Sequence, residues 1–128
     1  MAETGSRTVK ILVVDDDPVV QRVLGARFRK HDWTTLFAGD AISAIAVARA
    51  ELPDLIVLDV ALPAGDAFVV VERLSSIPAL SHIPVVVISA TDTPENRSRA
   101  REAGAVAFFE KSDDTTALEA AVIDTLAA

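Results

Sequence analysis

The sequence predicts an α/β fold, a doubly wound sheet of five parallel strands with five helices. Three observations carry this. Five short apolar runs alternate strictly with five helical patterns along 128 residues, as repeated strand–crossover–strand units do. The middle run, Leu55 to Leu58, is apolar without alternation, which suits a strand covered by helices on both faces. Polar groups then collect at the strand ends, with Asp15, Asp16, Asp59, Ser89 and Lys111 each following an apolar run. In open parallel sheets, ligands sit outside those carboxyl ends.

The first strand is Lys10 to Val14, followed by Asp15, Asp16, Asp17 and Pro18. Asp17 is a natural N-cap, and Pro18 fits the first helical position, where its missing N–H costs nothing. Val20, Val23, Leu24 and Phe28 recur at helical spacing and should face the sheet. Gly25 inside that helix has no local explanation. Trp33 to Ala38 reads as the second strand, and Gly39–Asp40 turns into an alanine-rich helix capped by Asp40. Ile45, Ala48 and Leu52 mark its buried face, and Pro53 stops it. The central strand ends on Asp59.

After Leu62–Pro63, a loop over Ala64 to Asp66 leads into a helix carrying Phe68, Val71 and Leu74, and Pro78 ends that segment. Pro84 to Ser89 is the fourth strand. Asp92, Thr93 and Pro94 open the next helix and Gly104 closes it. With only Ala100 and Ala103 to bury, that helix should be loosely held. Ala105 to Glu110 is the fifth strand, followed by Lys111. The last helix starts near Thr115 and carries Leu118, Val122 and Leu126 on one stripe.

Composition narrows the function. The chain is long enough for one domain with one core. Residues 1–8 are polar and small and are expected to form a disordered tail ahead of a folded unit over 9–128. No apolar run reaches the roughly 18 to 20 residues of a membrane span. With no cysteine there is no disulfide, thiolate metal site or thiol nucleophile, and a cytoplasmic location is the simplest expectation. A net charge of −7 argues against direct nucleic-acid binding.

If the first and third strands are neighbours, Asp15, Asp16 and Asp59 converge on one crevice. Three carboxylates so placed demand a cation, and an all-oxygen donor set suits Mg²⁺. Neither His31 nor His82 falls near them, which disfavours zinc. Asp59 can attack phosphorus and become an acyl phosphate, with Lys111 and Ser89 neutralising the phosphoryl oxygens. Each residue also has an ordinary reading. Lys111 could be a salt-bridge partner of Asp59, and Ser89 a strand-end turn former.

With these pieces assembled, the chain resembles a response-regulator receiver domain of two-component signal transduction. The segments that carry the likeness are Ile11 to Pro18, Pro53 to Asp59, Leu62–Pro63, Pro84 to Ala90, Ala103 to Ala105, and Lys111. The resemblance implies a flavodoxin-like sheet with strand order 2-1-3-4-5. It implies that Asp59 is the phosphoacceptor, that Asp16 binds Mg²⁺ directly, and that Asp15 helps through water. The Ala61 carbonyl would be a further metal ligand. Ser89 would follow the phosphoryl group, Lys111 would contact it, and Phe108 matches an aromatic whose rotamer responds. Phe108 is equally readable as an ordinary core residue. The implied phosphodonor is a histidine kinase or a histidine phosphotransfer protein. The implied output is a downstream protein on the face of helix four, strand five and helix five. No turnover beyond self-catalysed phosphotransfer and dephosphorylation is implied.

Three positions depart from the pattern of that family. Ala67 stands where glycine is usual, Ala61 offers no side chain to the site, and Ser112 replaces the proline after the lysine. A trans Lys111–Ser112 bond is therefore expected. Two other readings compete. Asp15-Asp16-Asp17-Pro18-Val19 also fits the short pattern of haloacid-dehalogenase-type phosphatases, with Asp15 as nucleophile. A receiver-shaped interaction module that is never phosphorylated is the other.

Overall fold

Alternating apolar runs and amphipathic segments become five parallel strands and five helices in the computed structural model, which describes residues 8–62 and 67–128. In chain order these are β1 (Lys10–Val14), α1 (Pro18–Arg29), β2 (Thr34–Ala38), α2 (Ala41–Glu51), β3 (Leu55–Asp59), α3 (Ala67–Ser76), β4 (Val85–Ser89), α4 (Pro94–Ala103), β5 (Ala107–Glu110) and α5 (Thr116–Ala127). Residues 1–7, Pro63 and the Ala64–Asp66 loop lie outside the described residues.

The sheet runs β2-β1-β3-β4-β5, all parallel, with Val14 opposite Leu58 and Asp59 opposite Ile88. The strand order reverses between β1 and β3. Connections leave there toward opposite faces, so a crevice opens at the carboxyl ends. Every residue of β3 and β4 is buried, because helices cover both faces and the period-2 alternation sends apolar side chains to each. Leu12, Val14, Ile56, Leu58, Val85 and Val87 pack with Ala48, Phe68, Val71, Leu74 and Phe108. On the other face, Ile11, Val13, Leu55, Val57, Val86 and Ile88 pack with Leu24, Phe28, Leu118 and Val122.

Local signals set most helix ends. Asp17 Oδ1 accepts the Val19 N–H at 2.8 Å, and Asp40 Oδ1 accepts the Ser43 N–H at 2.7 Å. Of the three residues that open α4, Thr93 is the cap, its Oγ1 accepting the Asn96 N–H at 3.0 Å. Gly104 ends α4 at φ +112°, a conformation in which a Cβ is strained.

Some expectations need correction. Leu52 does not join the buried face of α2. It ends that helix at φ +48° and stays 52% exposed, because the residue before a proline is driven out of the right-handed helical region. Trp33 precedes β2, and its ring stacks on His31 at 4.3 Å and meets Phe28 edge-on at 5.5 Å. β5 begins at Ala107, after Ala105 and Val106 have left the α4 turn. A Cβ at Gly25 would lie 3.2 Å from Cζ of Phe37 on β2, so the helix passes close to that ring. No cis peptide bond occurs among the described residues. Among them, too, no helix is long and apolar enough to cross a membrane.

Candidate functional site

Backbone ladders bring the strand-end residues together. The Asp15 N–H donates to the Ala38 carbonyl at 2.9 Å, prolonging β1 by one residue, and the Lys111 N–H donates to the Ser89 carbonyl at 2.8 Å. Asp15 is 0% exposed and Asp59 2%. Each sits where the sheet's apolar interior ends, so its carboxylate has lost most of its water. Asp16, the next residue, is exposed at the mouth. Carboxylate oxygens of Asp15, Asp16 and Asp59 lie within 4.8 Å of one another.

Lys111 reaches into this cluster. Its Nζ lies 2.9 Å from Asp15 Oδ2 and 3.2 Å from Asp59 Oδ2. The ordinary salt bridge to Asp59 therefore exists, together with a second one to Asp15 that the sequence did not suggest. The contact with Asp15 is a close charge pair rather than an aligned hydrogen bond. Asp15 Oδ2 is the one buried side-chain nitrogen or oxygen among the described residues without a hydrogen-bond partner. The other oxygen, Oδ1, accepts the Asp17 N–H at 2.9 Å, and Gln21 Nε2 donates to the Asp15 carbonyl at 2.7 Å. Gln21 escaped notice in the sequence because a lone glutamine on a helix carries no signal of its target.

The electrostatics follow from the packing. Burial, then the neighbouring Asp15 charge, pushes the Asp59 carboxyl above its usual range, while Lys111 and the Ala61 N–H oppose this. Burial works against the Lys111 ammonium, but Asp15 and Asp59 outweigh it and leave Lys111 more basic than usual. An acidic donor set with one buried oxygen lacking a donor fits a hard divalent cation. The Ala61 N–H donates to Asp59 Oδ1 at 3.3 Å.

Ser89 is buried, and its hydroxyl is engaged by its own loop. Oγ donates to the Thr91 carbonyl at 2.8 Å and accepts the Thr91 N–H at 3.0 Å. The turn-former reading thus describes its present contacts. Phe108 is buried at 9% exposure and belongs to the core, with the Arg97 guanidinium 5.0 Å above its ring. The phosphatase reading, with Asp15 as nucleophile, leaves Asp59 without a role, although Asp59 sits in the same cluster.

Comparisons with known proteins show the family and the fold. Residues 11–123 match the response regulator receiver domain family. Response regulator PleD of Caulobacter vibrioides is 39% identical over 115 residues, which are 90% of this chain and 25% of PleD. Sporulation initiation phosphotransferase F of Bacillus subtilis is 29% identical over 113 residues, 88% of this chain and 90% of that protein. The chain thus spans a quarter of the length of PleD but most of the length of the Bacillus protein. Among solved structures, the BeF3-activated N-terminal receiver domain of Klebsiella pneumoniae RstA superposes with a TM-score of 0.86. It is 28% identical, with 93% of this chain and 99% of that one covered. The receiver domain of a histidine kinase from Syntrophus aciditrophicus superposes at 0.85 with 27% identity, covering 94% and 91%. From its five-stranded parallel sheet to the acids and lysine at its strand ends, the chain belongs to the response regulator receiver domain family.

Proposed function

We propose that residues 9–128 act as a phosphorylation-dependent switch, with Asp59 accepting the phosphoryl group of a histidine kinase or histidine phosphotransfer protein. The single observation that carries this is Asp59 itself. It is a buried carboxylate at the end of the central strand, with an ammonium at 3.2 Å and two further carboxylates close by.

In the transfer, an Asp59 oxygen attacks phosphorus and forms a P–O bond. The P–N bond of the donor phosphohistidine breaks, and its electron pair stays on the imidazole nitrogen. Lys111, 3.2 Å from Asp59 Oδ2, would neutralise a phosphoryl oxygen as the charge beside Asp59 rises. Its two present partners hold the ammonium at the mouth of the crevice before any donor arrives, so little reorganisation is needed. Asp15, Asp16, Asp59 and the Ala61 carbonyl would hold Mg²⁺. Bound there, the ion supplies charge neutralisation for the phosphoryl oxygens. Ser89 must release the Thr91 carbonyl before its hydroxyl can turn to the new group.

Hydrolysis of the acyl phosphate returns Asp59, and no separate substrate is turned over. The output is a downstream protein recognising the α4–β5–α5 face, and the setting we propose is the cytoplasm. The experiment is incubation with acetyl phosphate and Mg²⁺, followed by mass mapping of the modified residue. One phosphoryl group on Asp59, lost in Asp59→Asn, is expected. Phosphate mapped to Asp15, or retained in Asp59→Asn, would overturn the assignment.

A further inference from the structure

The first turn of α4 makes an unusual set of contacts for a helix with so little apolar surface. Asn96 Nδ2 donates at 3.1 Å to the same Thr91 carbonyl that holds the Ser89 hydroxyl. One residue on, Arg97 forms a two-pronged pair with Asp92, Nε to Oδ1 at 2.6 Å and Nη2 to Oδ2 at 2.9 Å. The same guanidinium lies 5.0 Å over the Phe108 ring. Below it, a cleft of about 200 Å³ is lined by Arg97, Ala100, Arg101, Val106 and Phe108 among others. A planar guanidinium can hold a carboxylate in its fork and offer its face to a ring at once, which an ammonium cannot.

We propose that Arg97 is the positioning residue that couples the Ser89 loop to Phe108. Clamped by Asp92 from that loop, its guanidinium keeps the ring in the core and passes loop movement on to β5. This rests on the phosphorylation reading above and adds a route by which the site is felt at the α4–β5 surface. When Ser89 releases the Thr91 carbonyl, Asn96 still holds that carbonyl, so the loop moves without stranding an acceptor. Asp92 lies three residues after Ser89, and displacing it draws the fork off the ring. Glu110, two residues past Phe108 on β5, also attracts the same guanidinium.

Arg97 and Asp92 have side chains 47% and 31% exposed. Contacts of this kind shift a two-state equilibrium only a few-fold each. A few-fold is what a reversible relay requires, because a tighter clamp would not release.

The test follows the Phe108 ring signals by NMR in the whole chain, before and after acetyl phosphate with Mg²⁺, with Asp59 occupancy read by mass. In Arg97→Gln, occupancy should match the unaltered protein, since Arg97 does not touch the site. The phosphorylation-induced shift of the Phe108 signals should fall to less than half. Asp92→Asn should act in the same direction, with the double variant no worse than either alone. Arg99→Gln removes the same charge from α4, where Arg99 lies 4.3 Å over Phe68 instead, and should leave the Phe108 response intact. Before any phosphodonor, Arg97→Gln alone should also move the Phe108 signals. A full response in phosphorylated Arg97→Gln, or equal losses in Arg97→Gln and Arg99→Gln, overturns the coupling. Unmodified Asp59 in the unaltered protein defeats the phosphorylation reading instead. The donor-free arm then still decides whether Arg97 holds the ring.

Discussion

Replacing Lys111 by methionine removes one charge and keeps most of the side chain's length. Its ammonium lies 2.9 Å from Asp15 Oδ2 and 3.2 Å from Asp59 Oδ2. At an effective dielectric of about 20, each attraction is worth roughly 5 to 6 kcal/mol before desolvation. The two carboxylates, within 4.8 Å of each other, repel by at least roughly 3 kcal/mol on the same scale. The ammonium is partly hydrated, at 23% exposure, so most of the gross attraction is offset. Breaking a buried pair by removing one partner nonetheless costs about 3 kcal/mol or more.

Lys111→Met should therefore lose about 3 kcal/mol at pH 7 without Mg²⁺. The pH dependence has a definite sign. Burial first, then Asp15, already raises the Asp59 carboxyl, and removing Lys111 raises it further. A carboxyl raised in the folded state is favoured by folding when protonated. That contribution is present at acid pH and is lost as pH climbs through the folded value. The penalty of Lys111→Met should thus shrink toward about pH 4, near the ordinary carboxyl range. Lys111 itself is raised, so its contribution is intact below the ordinary lysine value and fades only as pH rises through its own. Urea unfolding of both proteins at the two pH values, with and without Mg²⁺, is the assay. Mg²⁺ should restore part of the loss, and adding Asp59→Asn should restore more. A penalty under about 1 kcal/mol, the worth of an exposed pair, or one unchanged between the two pH values, would refute the reasoning.

Three further outcomes follow. Asp59→Asn removes a charge that burial and Asp15 disfavour, so the Mg²⁺-free protein should gain about 1 kcal/mol at pH 7 by denaturant unfolding; a loss of stability would contradict this. Gly25→Ala gains nearly 1 kcal/mol of helix propensity against a contact with the ring tip of Phe37, a residue 42% exposed that can yield. Its unfolding midpoint should stay level or rise, and a clear fall would show that the ring is fixed. Ala61 and Thr91 border the site through hydrogen bonds to Asp59 and Ser89, yet the Ala61 methyl cannot orient an attacking water and Thr91 offers only a short hydroxyl. Ala61→Asn and Thr91→Glu should therefore each shorten the life of the phosphorylated protein several-fold; decay of the unaltered protein at the same rate would remove these positions from control.

By itself the sequence determined the five strands, the five helices and most of the caps. Unbroken apolar runs, cap residues such as Asp17 and Asp40, and Gly104 act within a few residues of themselves. It also determined that Asp15, Asp59 and Lys111 share one end of the sheet, because parallel strands place all their carboxyl ends together. What it left open depends on distances between elements, which no local period encodes. The packing of α1 on β2 decided that Gly25 faces Phe37. The depth of the crevice decided that Asp15 is the buried acid and Asp16 the exposed one, although they are adjacent in the chain. Two arginines two residues apart on α4 look alike in the sequence. Helical rotation sends Arg97 to Asp92 and Phe108, and Arg99 to Phe68. Only the tertiary structure set those angles, because side-chain direction on a helix has meaning only relative to what the helix packs against.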